Sequence, residues 1–131
     1  MSPRRYSITV RCDLIAQHYL VGGDWGRENE LNSHHYKIEA RYEGPGLDEH
    51  RYLVDIDAVH TALDAIVERC RDRTLNELPE FAGLNPSVEH FARILSDRLA
   101  IAADIVDALE VTVWEDESAA AGYRRTLGSG A

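Results

Sequence analysis

Hydrophobic and polar side chains alternate along the first part of the chain. From Arg5 to Ile15 the apolar residues occupy every second position and polar residues lie between them. A period of two, rich in β-branched residues, predicts a strand. If the pleat continues without a bulge, Ala16 and His18 lie on the apolar face. The apolar face of this strand is Tyr6, Ile8, Val10, Cys12 and Leu14.

A second alternating segment begins near His34 and predicts a second strand. By the alternation of this strand, the side chains of Asn32 and His34 point to one face, whereas that of His35 points to the other. Residues 43–46, Glu-Gly-Pro-Gly, end the strand because proline and glycine do not continue a regular ladder. The face that includes His34 continues with Tyr36, Ile38, Ala40 and Tyr42.

Two later segments have apolar side chains at three- and four-residue steps, which predicts helices. The first is capped by Asp55 or Asp57, and the second begins after Ser87 as its N-cap. The first apolar stripe is Ile56, Val59, Leu63, Ile66, Val67 and Cys70. The second is Val88, Phe91, Leu95 and Leu99. His60 and His90 lie on these helices, and we expect them to be exposed or hydrogen-bonded.

A third strand is predicted over 109–115 and a short fourth over 123–127. The order strand, strand, helix, helix, strand, strand indicates an α+β fold, an antiparallel sheet with two helices on one face. Such a sheet leaves two edges that need cover, so we expect oligomerisation. The alternative is a monomer with twisted or charged edges.

Composition limits the class of protein. The 131 residues are 44% hydrophobic, which suits one domain over 1–131 with a single core, and we expect residues 128–131 to be a disordered tail. A net charge of −9 argues against nucleic acid or an anionic membrane as partner. No apolar run has transmembrane length and the N-terminus lacks a signal sequence, so a cytoplasmic protein with free thiols at Cys12 and Cys70 is expected.

Candidate chemistry is concentrated in residues 17–36. This stretch holds His18, His34 and His35 on either side of a glycine-rich loop. The loop also supplies carboxylate and amide oxygens, from Asp24, Glu28, Asn29, Glu30 and Asn32. Imidazole with such oxygens is a donor set that divalent metals accept. The alternative is a solvated loop with incidental histidines.

Four short strings carry a family resemblance. Residues 15–18 read Ile-Ala-Gln-His, 32–36 read Asn-Ser-His-His-Tyr, 85–92 read Asn-Pro-Ser-Val-Glu-His-Phe-Ala, and 111–115 read Val-Thr-Val-Trp-Glu. In this order they are similar to Phe-Ser-Ala-x-His, His-Gly-His-x-Tyr, Pro-Thr-x-Glu-x-x-Ala and Val-x-Val-x-Glu-Thr. Those motifs are typical of the 6-pyruvoyl-tetrahydropterin synthase and 6-carboxy-tetrahydropterin synthase family.

The resemblance implies the tunnelling fold, ββααββ, in which three subunits close their sheets into a barrel and two trimers stack as a hexamer. It implies Zn²⁺ at the positions of His18, Asn32 and His34, the first and last of which keep the family histidine. It also implies that Glu115 holds a pterin, with Ser87 and Glu89 contributing to the pocket. The substrate in the family is 7,8-dihydroneopterin triphosphate.

The chain departs from the family at three positions. Asn32 replaces a zinc-binding histidine, and an amide oxygen is a weaker donor. Glu28 stands where many members carry a cysteine that acts as the base. The family string Leu-Asp-His-x-x-Leu-Asn reads Cys-Arg-Asp-Arg-Thr-Leu-Asn at 70–76, so Asp72 replaces the catalytic histidine.

These departures predict a zinc-dependent carbon–oxygen or carbon–carbon lyase that acts on a dihydropterin, with Glu28 or Asp72 as the base, rather than the standard 6-pyruvoyl reaction. One alternative is a non-catalytic pterin- or purine-binding member of the family. Another is a metal-free enzyme that uses the same pocket for a different heterocycle.

Overall fold

Four antiparallel strands and two helices form the fold. The structure, a computed structural model, describes residues 4–101 and 105–127. The tail predicted at 128–131 lies outside the described residues. The elements are β1 (Tyr6–His18), β2 (Asn32–Gly44), α1 (Ile56–Cys70), α2 (Val88–Leu99), β3 (Ala108–Trp114) and β4 (Ala120–Thr126). The predicted order of elements and the α+β class are confirmed.

The strands lie side by side in their order along the chain, β1-β2-β3-β4. The ladder between β1 and β2 runs unbroken from Tyr6 opposite Gly44 to His18 opposite Asn32. Without a bulge, the alternation of side chains carries through to the end of β1. His18 therefore lies on the helix-facing side, where only 1% of it is exposed.

Both helices begin at the residues that the sequence indicated. The Asp55 carboxylate, rather than that of Asp57, accepts hydrogen bonds from the first turn of α1, and the Ser87 hydroxyl accepts one from the backbone N–H of His90. The helices pack their apolar stripes against one face of the sheet, except that Ile56, predicted in the first stripe, is 40% exposed at the start of α1. Within residues 4–101 and 105–127, no helix is long and apolar enough to cross a membrane.

The sheet has two edges, β1 and β4. At the His18 end of β1, the segment after α1 covers the edge, because the Asp72 N–H donates to the Ile15 carbonyl at 2.8 Å and the Gln17 N–H donates to the Arg73 carbonyl at 2.9 Å. Along β4 every second residue is exposed. The described contacts thus cover only one end of one edge.

A carboxylate joins the two helices beneath the sheet. Glu80 accepts hydrogen bonds from Arg69 of α1 (Nη2 to Oε1, 2.6 Å) and from Arg98 of α2 (Nη2 to Oε2, 2.7 Å). The bond from Arg69 is the main reason that the pKa of Glu80 falls to about 2. Glu80 therefore stabilises the folded state as an anion.

We expect Glu80→Gln to lower the free energy of unfolding at pH 7 by about 1–3 kcal/mol, because two guanidinium groups lose a charged acceptor. The folded pKa lies below the ordinary value of 4.5, so the contribution is complete above pH 4.5 and is lost as the pH falls toward 2. Urea denaturation of the wild type and the variant at pH 7 and pH 3 would measure this change in the free energy of unfolding. The exposed Glu77→Gln is the control, and an equal loss at both pH values would show that the charge of Glu80 is not the cause.

Candidate metal site

Four side chains converge at one end of the sheet. His18 ends β1, His34 is near the start of β2, and Glu115 directly follows β3. Glu28 comes from a 3₁₀ turn, Gly26–Asn29, in the loop between β1 and β2. One ligand atom from each lies within 4.8 Å of the ligand atoms of the other three. The cluster therefore offers two imidazole nitrogens and two carboxylate oxygens to a single ion.

The distances within the cluster leave one nitrogen without a partner. His18 Nε2 lies 3.2 Å from Glu28 Oε2, in hydrogen-bonding contact. His34 Nε2 lies 3.5 Å from Glu115 Oε1 and 3.8 Å from Glu28 Oε2. Among the described residues this buried nitrogen makes no hydrogen bond. An unpaired buried polar atom is costly, so the donor set fits a bound cation.

Tyr36 orients the His18 ring. Its hydroxyl lies 2.6 Å from His18 Nδ1, which leaves Nε2 facing the cluster. Burial, followed by the nearby charges of Glu115 and Glu28, raises the pKa of Tyr36, so the phenol stays protonated. The Tyr36 ring meets Phe91 of α2 edge-on, with centroids 5.2 Å apart. The alternation of β2 predicts that Tyr36 and His34 share a face, but it does not predict the contact between Tyr36 and His18.

The loop that carries Glu28 is held by amide side chains. Asn29 accepts a hydrogen bond from the Trp25 N–H and donates to the carbonyls of Leu20 and Gly23. The Leu20 N–H also donates to the Glu28 carbonyl at 2.7 Å. These bonds fix the turn beside His18. Of the carboxylates predicted as donors in this loop, Glu28 lies in the cluster.

Asn32, predicted as a zinc ligand, is half-buried opposite His18. Its amide nitrogen donates to the His18 carbonyl at 3.2 Å and to the Glu30 carbonyl at 2.9 Å. These bonds tie the end of the loop to β1. Its role as a metal ligand stays a prediction. His35 lies on the other face of the sheet, 3.3 Å from Asp13, as the parity of the strand predicted.

The other predicted site residues lie outside the cluster. Asp72 is exposed and follows α1 in the left-handed region, with φ of 59°. Ser87 caps α2, and Glu89 is exposed in its first turn. The same end of α2 is tied to the loop, because the Val21 N–H donates to Asn85 Oδ1 at 2.9 Å. Their predicted roles in catalysis and binding stay predictions.

An open cleft of about 1050 Å³ lies mainly along the side of the sheet that carries His35, and two members of the cluster, His34 and Glu115, are among its lining residues. Cys12 also lines the cleft. Burial, together with the charge of Asp13, raises the pKa of its thiol to about 11. Cys12 is therefore a neutral thiol near pH 7 and a poor candidate for a nucleophile or base.

Comparison with known proteins gives the family. A family model described as 6-pyruvoyl tetrahydropterin synthase matches residues 7–126. The chain belongs to this family. The match covers all four strands and both helices, and it confirms the resemblance noted in the sequence. No curated protein matches the chain.

Solved structures of the 6-pyruvoyl tetrahydropterin synthase family have the same fold. The Plasmodium falciparum synthase is 11% identical, with a TM-score of 0.78 over 94% of this chain and 99% of that one. The Caenorhabditis elegans synthase is 15% identical, with a TM-score of 0.77 over 94% and 96%. A Plasmodium vivax variant, in which a catalytic glutamate is replaced by cysteine, is 15% identical, with a TM-score of 0.70 over 95% and 99%. The tunnelling fold is confirmed.

Proposed function

We propose that this chain is a zinc-dependent lyase-type enzyme that acts on a dihydropterin similar to dihydroneopterin triphosphate, in a reaction other than the standard 6-pyruvoyl one. The observation that carries the proposal is the unpaired, buried Nε2 of His34, which faces two carboxylates at the cleft in a member of this family.

The absence of a transmembrane helix among the described residues is compatible with the cytoplasmic location that we also propose.

His18 and His34 would hold the metal ion in this proposal, with Asn32 as the predicted third donor. Zinc, when bound, polarises hydroxyl and carbonyl oxygens next to the pterin ring as a Lewis acid. Tyr36 keeps His18 Nε2 directed into the cluster through its 2.6 Å contact with Nδ1. Such an outer contact fixes the orientation and proton of a ligating imidazole.

Glu28 is proposed as the base that takes a proton from the substrate. Its carboxylate is 41% exposed at the mouth of the cluster, so a substrate can reach it. Backbone and amide contacts hold the turn that carries Glu28, and so place its carboxylate beside the cluster. A glutamate is a catalytic residue in the Plasmodium vivax synthase, so a carboxylate can serve in this fold. Asp72 remains the predicted second acid–base group.

Substrate binding is proposed for the N-terminal end of α2. Ser87 and Glu89 lie at the start of α2, which is tied to the loop through Asn85. A helix N-terminus favours an anionic or carbonyl group of a ligand. The ring-binding role that the resemblance gives Glu115 stays a prediction.

A homo-oligomer, trimer or hexamer, is proposed because β4 and most of β1 present open edges among the described residues. Pairing β1 of one subunit with β4 of the next would satisfy their backbone groups. Light scattering after gel filtration should give a mass of three or six chains. A monomer at micromolar concentration would contradict this.

A non-catalytic pterin- or purine-binding protein is the second candidate. It is favoured by one observation: Asp72, which replaces the catalytic histidine of the family, lies outside the cluster. Incubating the zinc-loaded protein with 7,8-dihydroneopterin and with its triphosphate, then analysing the products by mass spectrometry, separates the two. Turnover supports the lyase. Tight binding without product supports the second candidate, and turnover unchanged by chelation supports a metal-free enzyme.

A further inference from the structure

Three of the four clustered side chains are fixed by the sheet itself. His18 and His34 occupy helix-facing positions at the same end of β1 and β2. Glu115 continues the buried alternation of β3, after Val111 and Val113, and therefore points to the same face. The fourth, Glu28, stands on a loop turn and is the most exposed of the four.

The distances between the ligand atoms of this cluster are close to those expected between atoms that bind one metal ion. Two donors about 2.1 Å from one ion at tetrahedral angles lie about 3.4 Å apart. Glu115 Oε1 lies 3.5 Å from His34 Nε2 and 4.0 Å from His18 Nε2. Good N–H···O hydrogen bonds are shorter, about 2.9 Å. Direct bonding therefore does not account for the position of Glu115.

We propose that Glu115 is a metal ligand of this chain, which completes a set with His18 and His34, and that it is not an anchor for the pterin ring. It takes the place of the imidazole that is missing at Asn32. This inference rests on the proposed function in one respect: the ion is the zinc that the proposed reaction uses. Two histidines and a glutamate form a catalytic zinc set that leaves a coordination position open.

Asn32 is the competing third ligand, and its hydrogen bonds favour a structural role. Its amide nitrogen is engaged by two backbone carbonyls, those of His18 and Glu30. These bonds engage the amide nitrogen and leave Oδ1 as the one atom that Asn32 could offer to an ion. The carboxylate of Glu115 has no such hydrogen-bonding partner among the described residues and is the stronger donor.

The set also leaves Glu28 free for proton transfer. Glu28 reaches His18 Nε2 at 3.2 Å from a loop, so its carboxylate can turn toward a substrate. Glu115 lacks this freedom because it follows a paired strand, and its N–H donates to the Ala119 carbonyl. The two carboxylates thus have different roles. Glu115, which follows the strand, is the metal ligand, and Glu28, on the loop, is the base.

The test is the zinc affinity of the full-length protein, measured by competition with a chelating dye. We expect Glu115→Gln to weaken zinc binding more than about 100-fold, the upper end of losses seen for outer contacts of a metal site. Glu115→His, which offers an imidazole, should recover most of the affinity. Glu117→Gln, an exposed carboxylate two residues further on, is the matched control and should bind zinc as the wild type does.

Cobalt substitution gives a second measurement that does not depend on catalysis. The visible spectrum of the Co²⁺ protein should change in Glu115→Gln and remain unchanged in Asn32→Ala. Near wild-type zinc affinity in Glu115→Gln, or an equal loss in Asn32→Ala with its circular dichroism intact, would overturn the assignment. Failure of the wild type to turn over any dihydropterin would refute the proposed function and leave this assignment standing.

Discussion

Replacing His34 with alanine is expected to remove the bound metal. His34 supplies a buried Nε2 that makes no hydrogen bond among the described residues, and this nitrogen faces both carboxylates of the cluster. Without it, two of the three proposed ligands remain, His18 and Glu115. We expect zinc affinity to fall more than about 100-fold, beyond the loss caused by removing an outer contact. Elemental analysis of the purified variant, offered zinc and then dialysed, measures this.

His35→Ala is the matched control for that experiment. His35 is the next residue along β2, is exposed and points to the opposite face. Removing its imidazole should leave metal content unchanged. If His34→Ala keeps wild-type zinc, or if His35→Ala loses as much, the ion is not held in this cluster.

Glu28→Gln is expected to lower turnover about 10²- to 10⁴-fold, the range typical of a lost general base. The amide keeps the size of the side chain, but it cannot take a proton. Because Glu28 is assigned to proton transfer and not to the ion, zinc content should remain near that of the wild type. Steady-state rates with a dihydropterin, beside elemental analysis of the same sample, test both parts.

Glu30→Gln serves as the control for Glu28, since Glu30 is exposed in the same loop and lies outside the cluster. Its turnover should match that of the wild type. An unchanged rate in Glu28→Gln would assign the base to another residue, and Asp72→Asn would be the next variant to measure. Loss of zinc in Glu28→Gln would instead make Glu28 a ligand.

Local periodicity predicted most of the fold. The alternation in β1 and β2 placed His18 and His34 on one face, and the unbroken ladder between the strands brings their rings to 4.6 Å between centroids. The caps at Asp55 and Ser87 marked the helix starts, since each satisfies N–H groups that a helix leaves unpaired. These features depend on neighbours within a few residues.

The place of Glu115 depends on pairing between distant strands. Lys37 lies opposite Trp114, so Glu115 follows at the level of Tyr36, two residues from His34. A one-residue slip in that register would turn Glu115 to the other face. The alternation of β3 predicts the face of Glu115, because Glu115 shares its parity with the buried valines of that strand. The register of β3 against β2 cannot be predicted from that alternation.

The role of Asn32 was also beyond local reasoning. Motif spacing alone predicts a metal ligand at this position, because a histidine stands there in the family. The structure gives the Asn32 amide two backbone carbonyls, one in β1 and one in the loop. Both acceptors come together only once the β1–β2 hairpin has formed, which the spacing of residues does not describe.

Turnover of a dihydropterin by the protein, stripped with a chelator and then reloaded with zinc, separates a zinc-dependent lyase from a binding protein. We expect a product with the reloaded wild type, none with the stripped protein, and none with reloaded His34→Ala. A wild-type protein that binds one zinc per chain, binds the dihydropterin and forms no product would contradict this expectation.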